Sequence, residues 1–283
     1  MDMKRSLLMA IVISIALASA AFSACAGGTP SGNYIQGPLA DDANVIYLHH
    51  STGGNVWGGG VPENVDTYNM ASSTSYQITE LAFPSGNTYE WANYPYDYWN
   101  IWINHAGPSR FYAQEPTLEE LVQTYDVIVF KHCYPVSDIG PDSGTASVSS
   151  PEKQLQNYYL QYNALKEKMH SFPNTRFIVW TGAARAEAFA TADADRVANA
   201  ARSRTFFDWV KNTWDEDGDN IFVWDFYALE TDGTANYLVE DNCSDSEGHP
   251  NGTFSAIAAP LFVNRLVDVI EGRGDTGSIT GEN

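Results

Sequence analysis

Positive charge is scarce in this chain, which has 15 Lys and Arg against 35 Asp and Glu in 283 residues and a formal charge of −20. Binding to nucleic acid needs a cationic footprint that displaces counterions from phosphates, so that class of partner is excluded. An anionic membrane surface is excluded for the same electrostatic reason. No G-x-S-x-G elbow occurs, so the α/β-hydrolase pattern does not fit. No H-E-x-x-H spacing occurs either, which leaves a metal site to a looser convergence of His49, His50, His132 and His249 with Asp245. We expect no metal or other cofactor. The acidic run Asp215–Asp219 has Gly218 at its fourth position and lacks a closing Glu, so it reads as a solvated turn rather than a calcium loop. Apolar residues nevertheless make up 44% of the chain and aromatics 13%. That is too much buryable surface for a disordered chain, and one globular domain of ordinary to large size is expected.

The only long apolar run near the start, Ser6 to Ala18, is short for a membrane span. Preceded by Lys4 and Arg5 and followed by small residues, it reads as an export signal over residues 1–25. Cys25 stands where a lipoprotein signal places its lipidated cysteine, although Phe22 is unusual three positions before it. The expected location is therefore secreted, periplasmic or lipid-anchored at the surface, with no other membrane contact. Loss of this segment makes the net charge slightly more negative, so the acidity belongs to the mature domain. Residues 26–40 read as a linker, 41–270 as the folded domain and 271–283 as a disordered tail, in which Arg273-Gly274-Asp275 is a chance tripeptide. Cys133 and Cys243 are the remaining cysteines. Two cysteines in an oxidising compartment usually pair, stabilising by a few kcal/mol in the chain-entropy model, and two buried thiols are the alternative.

Between these ends, apolar runs alternate with helical patterns. Strands are expected at NVIYLH (44–49), within 76–83, at DVIVF (126–130), RFIVW (176–180) and NIFVW (220–224). A capping box of Thr117 and Glu120 opens a short helix, and Ser150-Pro151 opens a longer one with Leu155, Tyr158, Tyr162, Leu165 and Met169 on one face. Another helix is expected between Asp195 and Trp214, with Val197, Ala201, Trp209 and Val210 inward. The last ends near Ile270, with Pro260 marking a kink or its start. Continuous apolar strands separated by amphipathic helices indicate an α/β fold with a mainly parallel sheet covered on both faces. Ligands of such sheets bind beyond the strand carboxyl ends, at a topological switch point.

Two fragments stand at suitable places. The first strand delivers His49-His50-Ser51-Thr52-Gly53-Gly54-Asn55, where a serine after a buried strand, with glycines next to it, suits a nucleophile. Near the other end, Asp245-Ser-Glu247-Gly-His249-Pro250-Asn251 puts a histidine before the last helix with carboxylates two and four residues upstream, a pattern that suits a general base held by an acid.

Together these fragments resemble the SGNH (GDSL-like) hydrolase family, in which a nucleophilic Ser follows the first strand and an Asp-x-x-His-Pro segment precedes the last helix. The resemblance covers roughly residues 44–270 in element order, and its specific motifs cover only the two ends. It implies a flavodoxin-like three-layer α/β/α sandwich, Ser51 as nucleophile and His249 as general base, with His-His in place of the family's Gly-Asp before Ser. The family's acid position is Ser246 here, so Asp245 or Glu247 must substitute, and Asp245 is preferred. The family's Gly-x-Asn-Asp-like turn is replaced by Lys131-His132-Cys133-Tyr134. The second oxyanion block is also indistinct, with Asn100, Asn104 and Gly107 as weak candidates. Backbone N–H groups at Ser51 and Gly54, or the Asn55 amide, are therefore expected to form the oxyanion hole. The resemblance also places Cys133 and Cys243 beside the site, where a disulfide between them would tie the His249 loop to the third strand's turn.

The expected activity is that of an esterase removing an O-acetyl group from a glycan. The segment from Tyr89 to Trp102, with four Tyr and three Trp, offers rings that either stack on sugars or pack over the sheet. The competing expectation is a non-catalytic glycan-binding or surface protein on the same fold. The acidity favours a neutral substrate over a polyanionic one. The sequons at Asn242 and Asn251 lie too close to His249 to be expected in use.

Overall fold

The computed structural model describes residues 33–90 and 93–282. The expected export signal and Cys25 lie outside the described residues. The strands are β1 (Asn44–His49), β2 (Gln77–Ala82), β3 (Phe111–Tyr112), β4 (Glu115–Pro116), β5 (Val127–Phe130), β6 (Arg176–Trp180) and β7 (Ile221–Trp224). The α-helices are α1 (Thr52–Gly58), α2 (Val61–Ser72), α3 (Pro95–Trp99), α4 (Leu118–Leu121), α5 (Leu155–His170), α6 (Glu187–Ala190), α7 (Ala194–Trp209), α8 (Phe226–Glu230) and α9 (Gly252–Ile270).

Five strands form one parallel sheet in the order β2-β1-β5-β6-β7, and β3 pairs antiparallel with β4 in a separate ribbon. Alternate strand residues serve opposite faces. Ile46, Leu48, Ile128, Phe130, Phe177 and Val179 join a core with Tyr98, Trp102, Tyr158, Leu165 and Phe206. Val45, Tyr47, Val127, Val129, Ile178 and Trp180 join a second core with Val56, Val61, Phe262 and Leu266. The sheet is thus sandwiched between α3, α5 and α7 on one side and α1, α2 and α9 on the other, the three-layer α/β/α arrangement expected. Burial on both faces explains why β1, β5, β6 and β7 read as unbroken apolar runs. The edge strand β2 is largely exposed.

Several local expectations are corrected. The long helix starts at Leu155, not at Ser150, because the preceding segment is held in another loop by Gly140 N–H to Lys153 O (2.8 Å) and Ser147 N–H to Asn157 Oδ1 (2.9 Å). Thr117 does not cap α4 with its side chain, since its hydroxyl donates to Arg110 O at 3.1 Å. The buried face of α7 is Ala200, Ser203, Phe206 and Phe207, while Val197 and Ala201 face outward. The last helix begins at Gly252, where the Asn251 side chain accepts the Phe254 N–H (2.9 Å), so Pro260 lies inside it.

The segment from 271 is ordered as far as it is described. Trp224 Nε1 donates to Thr280 O (3.0 Å), Asp225 N–H to Ile279 O (2.7 Å) and Gly218 N–H to Asp275 (2.8 Å). These contacts explain why a polar, glycine-rich sequence is not a free tail: the sheet's own polar groups hold it. The described part of the linker is also tied down, with the buried Arg176 guanidinium donating to Ile35 O (3.0 Å) and Ile270 O (2.9 Å).

Candidate active site

The chain runs from β1 to β2 on one side and then crosses to β5 on the other, so β1 sits at the topological switch point. In such sheets ligands bind beyond the carboxyl ends of the strands at this point. Ser51 lies two residues past the end of β1 and immediately before α1, at that end of the sheet. Its backbone is strained, at φ 50° and ψ −104°, a region that costs an L-residue about 1–3 kcal/mol and persists only when surroundings enforce it. Gly53 shows what enforces it. A Cβ there would lie 2.5 Å from both the His49 Cβ and the Tyr47 hydroxyl, so only glycine lets the turn close over these rings.

Ser51 Oγ is hydrogen-bonded to His249 Nε2, and His249 Nδ1 to Asp245 Oδ2. The other Asp245 oxygen accepts N–H groups from Glu247 (2.8 Å), Gly248 (3.1 Å) and His249 (3.4 Å). Partial burial works to raise the Asp245 pKa. It is outweighed by these backbone donors and the His249 ring, which hold the carboxyl down to about 2. Asp245 therefore stays ionised and fixes the His249 tautomer with Nε2 free to accept from Ser51. Of the two carboxylates, Asp245 reaches the His249 ring, whereas Glu247 turns away and accepts the Tyr134 hydroxyl at 2.7 Å.

Tyr134 was not singled out in the sequence beyond its place in the 131–134 turn. Its ring meets the His249 ring edge to face, with centroids 5.2 Å apart, and the Arg185 guanidinium lies 4.3 Å from its centroid. Arg185 is in turn gripped by Asp138. Gly248 fits between Ala184 O and Tyr134, where a Cβ would lie 2.8 Å from the former and 3.2 Å from the latter's Cβ. The identity of residues 131–134, directly after a buried strand, was the available signal for this wall.

Asn55 takes a different task from the one expected. Its N–H donates to Ser51 O (3.1 Å) and its side chain to Pro250 O (2.7 Å), joining the serine turn to the histidine loop. The N–H groups of Ser51, Thr52 and Gly54 have no acceptor among the described residues, so the expected donors at Ser51 and Gly54 are not engaged elsewhere. Asn100 and Asn104 hydrogen-bond to each other (2.9 Å), and Asn100 also donates to the Tyr89 hydroxyl (3.2 Å), within the α3 side of the core.

The remaining histidines do not converge. His49 Nε2 pairs with Glu80 (2.8 Å), and burial, then Lys131 and His50, push its pKa down to about 3. His50 Nε2 bonds to Pro84 O, and His132 is buried edge-on against Tyr98. Among the described residues no group of three His, Cys, Asp or Glu is placed to hold a metal. Cys133 and Cys243 are both free thiols, which corrects the expected pairing. Cys133 is buried at the head of the 134–137 turn, while the Cys243 thiol points to the carbonyls of Leu238 (3.5 Å) and Val239 (3.4 Å). The Tyr89–Trp102 segment is mainly core: Tyr89, Tyr94, Tyr98, Trp99 and Trp102 are buried.

No protein-family model matches the chain, and a search of curated proteins found no match. Among solved structures it is similar to an acetyl xylan esterase, at 15% identity and a TM-score of 0.45, over 78% of this chain and 98% of that one. It is also similar to a gut microbial diltiazem-metabolizing enzyme, at 12% identity and a TM-score of 0.48, over 86% of this chain. The chain spans about half (49%) of the latter's length.

Proposed function

We propose that this protein is an exported serine hydrolase that cleaves an ester by acyl transfer. The observation that carries the reading is the continuous relay from Ser51 through His249 to the ionised Asp245 at the switch point of the sheet. Three residues from two distant segments meet with the tautomer that a serine nucleophile requires. Ser51 Oγ attacks the ester carbonyl carbon while its proton passes to His249 Nε2. The carbonyl oxygen becomes an oxyanion facing the N–H groups of Ser51 and Gly54, which is the dominant electrostatic contribution in such reactions. Collapse expels the alcohol, which takes the proton from His249. Water, deprotonated by the same nitrogen, then releases the acid and restores the serine.

Acetyl remains the proposed acyl group. For a glycan as the alcohol, Tyr89, Tyr94, Tyr98, Trp99 and Trp102 offer no ring platform, because they are buried. A neutral ester fits the net charge of −20 better than a polyanionic one.

The test is hydrolysis of p-nitrophenyl acetate by the wild type and by Ser51→Ala. We expect turnover by the former and a loss of about a thousandfold or more in the latter. Full activity in a folded Ser51→Ala variant would refute the assignment.

A further inference from the structure

Lys131 stands where the resemblance calls for a glycine-containing oxyanion turn, and it is fully buried. A lysine out of contact with water needs compensation for its lost hydration. Its Nζ donates to the carbonyl oxygen of His50 at 3.4 Å, and Glu230 and Cys133 act on it electrostatically from the same interior. The His50 carbonyl also accepts the Gly53 N–H at 2.9 Å. Two donors on separate elements, the end of β5 and the start of α1, therefore hold one oxygen immediately before the nucleophile.

That oxygen belongs to the peptide linking His50 to Ser51, which is trans. In a planar trans peptide the C=O and the following N–H point in opposite directions. Holding the His50 oxygen inward turns the Ser51 N–H outward, away from the core. This N–H is one of three in the turn, with those of Thr52 and Gly54, that have no acceptor among the described residues. The same restraint helps keep Ser51 at its strained φ of 50°.

We propose that Lys131 is a positioning residue that fixes the His50–Ser51 peptide plane so that the Ser51 N–H is presented to the oxyanion. The inference rests on the serine hydrolase reading. It explains how the site operates without the asparagine that the resemblance places in this turn. Lys131 itself stays behind the backbone and touches no reacting atom. A hydrogen-bond donor is what the position requires, so either protonation state of the amine serves.

The experiment compares Lys131→Met, which fills the space without a donor, and Lys131→Gln, which is neutral but retains one. Both are assayed on p-nitrophenyl acetate beside Ser51→Ala, with thermal unfolding to establish that each is folded. We expect Lys131→Met to lose about tenfold to a hundredfold in kcat with KM within twofold, since only transition-state stabilisation is affected. Lys131→Gln should recover most of that loss. The proposal is overturned if folded Lys131→Met keeps kcat within twofold of wild type. It is equally overturned if Lys131→Gln is no better than Lys131→Met while both melt like the wild type. Should Lys131→Met fail to fold, a folded Lys131→Gln carries the test: kcat within tenfold supports the proposal and a larger loss overturns it. An active Ser51→Ala would instead reject the serine hydrolase reading itself, so the two failures are distinguishable.

Discussion

Replacing Gly248 by alanine adds one methyl group beside His249, the proposed general base, without removing any functional group. The new Cβ would lie 2.8 Å from Ala184 O, 3.2 Å from the Tyr134 Cβ and 3.3 Å from its Cγ. Comfortable separations for such atoms are roughly 3.5 Å, so the shortfall is more than about half an ångström at Ala184 O and about a quarter of one at Tyr134. Ala184 cannot yield readily, because its N–H is held by the buried Glu230 carboxyl at 2.6 Å. Nor is the Tyr134 ring free to retreat, lying between Arg185 and His249. The displacement therefore falls on the loop carrying His249 and moves Nε2 relative to Ser51 Oγ. A misplacement of about 1 Å costs roughly a hundredfold, so the expected loss in kcat is about tenfold to a hundredfold. Overpacking should lower stability by about 1–3 kcal/mol, and a side chain at this positive φ of 155° by about 1–3 kcal/mol more, so melting curves establish whether the variant is folded at assay temperature. Steady-state kinetics on p-nitrophenyl acetate, with melting curves alongside, read both effects. A folded Gly248→Ala enzyme with kcat within twofold of wild type would show that this close contact does not position the histidine.

The two neighbouring carboxylates should separate cleanly by mutation. Asp245→Asn removes the acceptor that orders the His249 tautomer and should reduce kcat by about a hundredfold to ten-thousandfold. Glu247→Gln, which can still accept the Tyr134 hydroxyl, should change kcat less than about threefold; equal losses in both would contradict the geometry. Because the Asp245 carboxyl is held down to about 2, it stays ionised down to strongly acidic pH, and the acid limb of activity should persist unmoved in Glu247→Gln.

Away from the site, burial first, then Asp219, raises Asp215 to about 7 against the opposing pull of Arg265. A carboxyl raised above its unfolded value of 3.8 contributes stability that is complete below about pH 4 and lost as pH rises through about 7. Asp215→Asn should therefore stabilise more at pH 8.5 than at pH 5, by on the order of 1–3 kcal/mol. The same change in melting temperature at both pH values would refute this.

Legibility in the sequence followed the range of the interactions involved. Four of the five strands of the main sheet, β1, β5, β6 and β7, were visible because strands buried on both faces leave runs such as DVIVF and RFIVW that need no partner to be recognised. Helix boundaries were less visible. Ser150-Pro151 looks like a start in isolation, but the segment is held by Gly140 and Asn157, contacts that local sequence does not encode. The inward face of α7 was misplaced for a related reason: Val197 is apolar yet exposed, and the polar Ser203 is buried because it donates to Ser137 O at 2.9 Å.

Ser51 and His249 could be found from the chain alone, since each carries its chemistry in a short fragment next to a recognisable element. The choice between Asp245 and Glu247 could not. Both lie within reach of His249 along the chain, and only the fold shows that Tyr134 takes one and leaves the other to the imidazole. The cysteines, the Asn55 amide and the segment beyond residue 271 likewise depended on distant partners. Composition and periodicity determined the acidity and the layered α/β class, and two short fragments together with the resemblance they carry pointed to Ser51 and His249, because those properties are carried by local pattern. Tertiary structure decided which carboxylate reaches His249, the direction of each N–H in the serine turn and the burial of Lys131. Each of these depends on which remote group occupies a given hydrogen bond, and sequence order does not determine that.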